Sequence, residues 1–406
     1  MEQPRIHQNT VAGVIEALET IFGKQIYADK VIERILKVNR KWGSRDRGFV
    51  AENTYDMVRW WRLLWALYGK ESTLKRKELW NLFGIWWMYK GNELPDWPKF
   101  DAIRDFDIEE ARKALPDSVA IQQSFPDWID ERMSREIGDA WPLVAQASNH
   151  QADLVVRANT LKTNRDELRK RLDEEGIPSH PVSFNDTGLV LEKRANTFRL
   201  NSFQDGWFEV QDGGSQMIAP FAEVEPGMRV IDSCAGAGGK SLHLAAMMDN
   251  KGSIIAMDVE GWKLNELKKR ARRNGVHNIE TRVIDNLKTI KRLENSADRL
   301  LMDVPCSGTG VFKRNPDTKW KLQPEHLEST IRTQREILKN YPRMLKPGGI
   351  LVYATCSLFR SENEDQVEWF LQEFGDTFTL LDQKRISPET EATDGFFMAK
   401  FKKKEE

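Results

Sequence analysis

Arg229-Val230-Ile231-Asp232-Ser233-Cys234-Ala235-Gly236-Ala237-Gly238-Gly239-Lys240-Ser241 decides the fold. A β-branched run ends on an acid, a glycine-rich turn follows, and an apolar helical pattern begins at Ser241. Two nucleotide motifs are excluded by position. A P-loop needs glycine five places before Gly239, and that position is Cys234. A dinucleotide fingerprint starting at Gly236 needs glycine at 241, which is serine. What remains is a tight turn on which a ligand can lie against backbone N–H groups and a helix N-terminus.

Downstream, strand and helix patterns alternate. Ser253 to Asp258 reads as a strand, Lys263 to Asn274 as a helix, and strands recur at Glu280 to Ile284, Arg299 to Asp303 and Ile350 to Thr355. Such alternation implies a parallel sheet covered by helices on both faces. Ligands then bind beyond the carboxyl ends of the strands. Asp232, Asp258, Asp285 and Asp303 all fall there, in register with the glycine turn. Asp258 stands where a carboxylate accepts ribose hydroxyls, and Asp285 could face an adenine edge. Without a phosphate-binding motif, a nucleoside carrying a sulfonium is the expected ligand, namely S-adenosylmethionine. The expected cofactor residues are Cys234, Ala235, Gly236, Ala237, Gly238, Gly239, Lys240, Asp258, Asp285 and Asp303.

Upstream the composition changes. Ten of the fourteen tryptophans fall within the first 141 residues, whereas glycine concentrates after about residue 205. Val11-Val14-Ile15-Leu18-Ile21-Phe22 and Val31-Ile32-Ile35-Leu36 repeat at helical spacing, so the amino-terminal region reads as all-helical, its tryptophans as core. Pro142 and a polar run to Gln151 mark a boundary. Strands at Leu154 to Asn159, Gly188 to Leu191 and Trp207 to Val210, with a helix from Asn164 to Gly176, make a small α+β module. The expected domains are 1–142, 143–215 and 216–406.

The chain has 406 residues, and its 61 basic and 62 acidic residues leave a net charge of -1. That balance is a sum of unlike regions: residues 251–350 carry 21 basic and 12 acidic residues, 101–150 carry 5 and 11, and 351–406 carry 7 and 12. Three cysteines cannot make a disulfide framework, and six scattered histidines show no zinc spacing, so a reducing cytoplasmic setting without metal is expected. No signal peptide or membrane-length apolar run is evident, and a monomer is expected.

Two of the three cysteines sit in matching places. Met302-Asp303-Val304-Pro305-Cys306-Ser307-Gly308-Thr309-Gly310 follows one strand, and Tyr353-Ala354-Thr355-Cys356-Ser357 the next. These segments resemble the RNA cytosine-C5 methyltransferases of the RsmB/Sun/Fmu and Nop2 group. The likeness covers Asp232 to Ser241, Asp303 to Asp317, Pro347-Gly348-Gly349 and Glu362-Asn363-Glu364. It extends to Arg157-Ala158-Asn159-Thr160, Val210-Gln211-Asp212 and Ser215-Gln216. More weakly, Ser44-Arg45-Asp46-Arg47 is similar to a NusB-type RNA-binding domain. Ala237, Ser241 and Val304 depart from the family pattern, which usually has proline, threonine and alanine there.

The resemblance implies a Rossmann-like catalytic domain behind a small α+β module and a NusB-like helical domain. It also implies methylation of cytosine C5 in RNA, of the 16S small-subunit ribosomal type. Cys356 would add to C6 as nucleophile, making C5 enamine-like. Cys306 would assist loss of the C5 proton and release of the enzyme. Asp303 would hydrogen-bond the N3/N4 edge, and Lys240 would lower a thiol pKa or contact the base. Lys313, Arg314 and Arg157 are candidate RNA contacts, beside the basic run from Lys263 to Arg273. The alternatives are a tRNA cytosine-C5 methyltransferase, a DNA cytosine methyltransferase and a non-catalytic RNA-binding assembly factor.

Overall fold

A computed structural model describes residues 6–193, 196–391 and 393–405. The chain divides into two compact units, 1–149 with 312–323, and 150–311 with 324–406.

The first unit is helical, with Gln8–Lys24, Ala28–Val38, Ser44–Arg59, Trp61–Tyr68, Arg76–Tyr89, Asp127–Ile137 and Trp141–Ser148 as its longer helices. Val11, Val14, Ile15, Leu18 and Ile21 line the buried stripe of the first helix, as their spacing predicts. Trp61, Trp65, Trp80, Trp86 and Trp87 are buried in the same core. Residues 312–323, expected within the catalytic domain, belong to this unit. The reason is packing. Phe312 meets Phe125 edge-on at 5.4 Å between ring centroids, and Trp320 donates its indole N–H to Val58 O at 2.7 Å. Lys319 is completely buried; its Nζ lies 2.6 Å from Asn149 Oδ1 and 3.2 Å from the carbonyl oxygens of Gln123 and Ser124. Asp317 Oδ2 accepts from the first N–H of the Ala28–Val38 helix at 2.8 Å.

The second unit holds two sheets. Strands β1 (Leu154–Ala158), β2 (Ser179–Pro181), β3 (Gly188–Leu191) and β4 (Phe208–Val210) form an antiparallel sheet ordered β2-β3-β1-β4. The helix Arg165–Glu174, capped by Asn164, supplies Leu168 and Leu172 to this module's core. Strands β5 (Arg229–Asp232), β6 (Ser253–Asp258), β7 (Ile279–Val283), β8 (Ala297–Asp303), β9 (Leu345–Thr355), β10 (Phe378–Ile386) and β11 (Phe396–Lys403) form the larger sheet, ordered β10-β11-β9-β8-β5-β6-β7.

Strands β5 to β9 are parallel, which is the expected Rossmann-like arrangement. At one edge β11 runs antiparallel to both of its neighbours, β9 and β10, and completes the parallel sheet that the strand and helix alternation implies. Successive strand residues fill opposite cores: Val230, Ile254, Leu301 and Val352 face one layer, while Ile231, Ile255, Met302 and Tyr353 face the other. The chain proceeds from β5 outward to β7, then returns to β8 on the other side of β5. The crevice at the β5 and β8 carboxyl ends is the topological switch point, where ligands bind in such sheets.

Candidate active site

The glycine turn leaves β5 at Asp232 and enters the helix Gly239–Met247. Gly236 and Gly238 have φ of 53° and 88°, a left-handed backbone that glycine adopts without steric cost. A Cβ on Gly238 would lie 2.4 Å from Leu267 Cγ, so the turn also needs glycine for packing. At Gly236 a Cβ would meet nothing within 4 Å, so the turn borders open space there. Its backbone is tied down from outside. Gly236 N–H donates to Asp258 Oδ2 at 2.9 Å, and Arg270 Nη1 donates to Ala237 O at 2.8 Å. Arg270 is in turn held by Glu209 of β4 at 2.7 Å, and Arg273 and Asn274 also bond that buried carboxylate. Burial would raise the Glu209 pKa, but the two guanidinium groups hold it below the usual carboxylate range.

Asp232 Oδ2 accepts from Ser241 Oγ at 2.6 Å, while Oδ1 is buried with no hydrogen-bond partner among the described residues. Burial pushes its pKa up to about 7, with the Ser241 bond opposing. Lys240 Nζ meets Asp303 Oδ2 at 2.6 Å across the switch point. Burial alone would lower the Lys240 pKa; Asp303 outweighs it and keeps the ammonium protonated.

Cys306 and Cys356 follow β8 and β9, and their sulfurs are 3.3 Å apart. Cys356 N–H also points at Cys306 Sγ, at 3.3 Å. The bond to Cys356 and burial push the Cys306 thiol up, with further contributions from the Cys356 and Glu362 charges. Cys234 lies in the turn and is also pushed up by burial. Asp285 is exposed two residues beyond β7. The adjoining rim is apolar, with Val259, Trp262, Val283 and Leu287 exposed.

The fold therefore brings Lys240, Asp303, Cys306 and Cys356 together in one unit, with the glycine turn and Asp258 alongside. The expected RNA contacts fare differently. Arg157 is only 2% exposed, bonding Gln211 Oε1 and the Gly239 carbonyl, so it braces the turn from within. Lys313 is 6% exposed in the helical unit, which does not match a surface phosphate contact. Arg314, half-buried, lies in the same segment. In the basic helix Gly261–Asn274, Arg270 and Arg273 face inward to Glu209, leaving Lys268, Lys269 and Arg272 exposed. Sequence reasoning missed Gln334, Ser307 and Ser357 around Glu362, and the Glu209–Arg270 brace. Gln334, Ser307 and Arg270 lie 28 to 61 positions from their partners, beyond any local pattern, whereas Ser357 is five positions from Glu362.

Comparison with known proteins places this geometry. The family described as 16S rRNA methyltransferase RsmB/F matches residues 220–402, and the ferredoxin-like domain of RsmF/B-like methyltransferases matches 125–197. The chain is 34% identical over 304 residues to "Probable ribosomal RNA small subunit methyltransferase B" of Synechocystis sp., covering 70% of this chain and 68% of that protein. It is 31% identical over 329 residues to the protein of the same name from Bacillus subtilis, covering 76% and 70%. Among solved structures, a methyltransferase homolog from Pyrococcus horikoshii aligns with a TM-score of 0.63 at 28% identity, covering 70% of this chain and 97% of that one. The structure titled PH0851 shares the fold, with a TM-score of 0.82 at 24% identity over 99% of this chain and 100% of its own. A glycine turn at the switch point, a paired lysine and aspartate and two adjacent thiols thus occur in a chain that belongs to the RsmB/F family of 16S rRNA methyltransferases.

Proposed function

We propose that this protein methylates C5 of a cytosine in small-subunit ribosomal RNA, using S-adenosylmethionine and a transient Cys356–C6 bond. The observation that carries the reading is the thiol pair, with Cys306 and Cys356 sulfurs 3.3 Å apart beyond adjacent strands. C5 of cytosine is too weakly nucleophilic to take a methyl group unaided; thiolate addition at C6 makes it enamine-like. A second thiol within contact distance suits the later removal of the C5 proton, which allows elimination of Cys356. Burial and the bond to Cys356 push the Cys306 thiol up, so that Cys306, once its own proton has passed to solvent, would be a strong base for the C5 proton and become a thiol again on accepting it. Asp303, fixed by Lys240, faces the step at which charge develops on the base ring.

The residues present fit S-adenosylmethionine. Open space beside Gly236 adjoins Asp258, and the orphaned Asp232 Oδ1 lies at the carboxyl end of the neighbouring strand, a polar setting suited to hydroxyls. When bound, the cofactor supplies an electrophilic sulfonium methyl. Asp258 and the turn backbone would hold the nucleoside. The target cytosine must be single-stranded or flipped to reach the thiols.

The test is direct. Incubate the protein with methyl-labelled S-adenosylmethionine and small-subunit rRNA made without modification, offering tRNA and DNA as rival acceptors. Label should appear as 5-methylcytosine in the rRNA; label confined to tRNA or DNA, or none in any acceptor, would sink the proposal.

A further inference from the structure

Glu362 ends a short 3-10 turn after β9, fully buried. Its carboxylate receives four hydrogen bonds. Oε1 accepts from Ser307 N–H at 2.8 Å and from Gln334 Nε2 at 2.9 Å; Oε2 accepts from the hydroxyls of Ser307 and Ser357. Four is about the full acceptor capacity of a carboxylate, so no lone-pair site is left for a ligand. Ser307 directly follows Cys306, and Ser357 directly follows Cys356. One side chain thus grips both cysteine loops immediately beyond the sulfurs.

The neighbouring contacts repeat the pattern. Asn363 brackets Cys356, accepting from Thr355 Oγ1 at 2.6 Å and donating to Ser357 O at 2.9 Å. The loops are also stitched directly, by Gly310 N–H to Cys356 O and by Leu358 N–H to Thr309 Oγ1, both at 2.9 Å. Gln334 carries the brace into the helix Pro324–Asn340 and bonds Pro305 O at 3.0 Å, on the other side of Cys306. Buried charge with this many donors is ordinarily costly to arrange, and here it joins the two loops at the residue after each cysteine, beside their backbone and thiol contacts.

We propose that Glu362 is a positioning residue of the two-cysteine centre, holding Cys306 and Cys356 at contact distance by bracing the serine after each; this rests on the methyltransferase reading above. What matters is reach rather than charge. A glutamine can keep all four hydrogen bonds, its oxygen taking the two N–H donors while its amide donates to the two hydroxyls, which also accept. An aspartate keeps the charge but is one methylene shorter and cannot span both loops.

The full-length protein is therefore compared with Glu362→Gln, Glu362→Asp and Glu362→Ala. Two readouts are taken on each: kcat and KM for rRNA, and the rate at which diamide converts Cys306 and Cys356 to a disulfide. In the latter, two thiols are oxidised and diamide is reduced to the hydrazine. Displacing reacting groups by about 1 Å can cost ~100-fold in rate. Glu362→Asp and Glu362→Ala should lose roughly that in kcat, with KM within about threefold, and should close the disulfide at least about tenfold more slowly. Glu362→Gln should stay within about threefold of the parent in both. Wild-type disulfide rates in Glu362→Asp, or a Glu362→Gln as slow as Glu362→Asp, would overturn the proposal. If the alanine variant does not fold, the glutamine and aspartate pair still decides it. If the parent transfers no methyl group, the underlying reading fails, and the disulfide series alone judges Glu362.

Discussion

Replacing Glu209 by alanine tests whether the module of β1 to β4 sustains the cofactor turn. Glu209 is 2% exposed, and its carboxylate bonds Arg270 Nη2 at 2.7 Å, Asn274 Nδ2 at 2.5 Å and Arg273. Removing one partner of a buried ion pair typically costs ~3–5 kcal/mol, because the remaining charge is stranded. Here the Arg270 and Arg273 side chains are 19% and 21% exposed and can recover some hydration, which places the loss near the lower end, ~3 kcal/mol. At ~2–4 °C per kcal/mol for a unit of this size, the melting transition should fall by about 6–12 °C. Because Arg270 also holds Ala237 O, S-adenosylmethionine affinity should fall as well. The carboxylate's pKa is depressed in the folded state, so its stabilisation is present above the ordinary glutamate pKa and is lost as pH falls through the folded value. Scanning calorimetry at pH 7.5 and at stepwise lower pH should show the mutant's deficit shrinking with acid. A shift under about 2 °C at pH 7.5, or a deficit constant with pH, would refute this reasoning.

Three further outcomes follow from other parts of the molecule. Trp320→Ala removes a half-buried indole and its bond to Val58 O from the helical unit, and should cost ~2–3 kcal/mol by denaturant unfolding, below the ~3–5 kcal/mol of a fully buried aromatic; a change below about 1 kcal/mol would deny that residues 312–323 belong to that core. Lys240→Met leaves Asp303 without its ionic partner and should lower kcat by about 10²–10³ in the methyl-transfer assay, whereas a loss under about tenfold would remove Lys240 from the mechanism. Asp232 has its pKa raised to about 7 by burial, so the folded state holds a proton that the unfolded chain releases near pH 4. Relative to Asp232→Asn, stability should fall as pH rises from about 4 to about 7 and then level off; urea titrations of both proteins that run parallel across that window would contradict it.

Much of the larger sheet was legible from residue order, since β5 and β6 are apolar runs closed by an acid and followed by helical periodicity. The antiparallel pair β10 and β11 was not, because Phe378 to Ile386 carries mixed polar residues on an edge strand, where alternation is weak. Asp303, Cys306 and Cys356 could be read because they lie at or just beyond the carboxyl ends of β8 and β9, and Lys240 because it ends the glycine turn after β5; strand ends are where this architecture puts its chemistry. Arg157 and Lys313 misled for the converse reason, since charge alone carries no information about direction. Both are buried, and Arg157 donates to the Gly239 carbonyl. The insertion of 312–323 did leave one trace. Trp320 lies far from the other tryptophans in sequence, yet it packs in the tryptophan-rich core whose composition it shares.

The central claim is that one thiol forms the bond to C6 and the other ends it. Unmodified small-subunit rRNA and S-adenosylmethionine are incubated with Cys306→Ala and with Cys356→Ala, and the products are run on a denaturing gel with labelled RNA. Cys306→Ala should accumulate a denaturation-resistant RNA–protein adduct that maps to Cys356, and Cys356→Ala should form none. An adduct with Cys356→Ala, or with neither variant, would contradict the assignment.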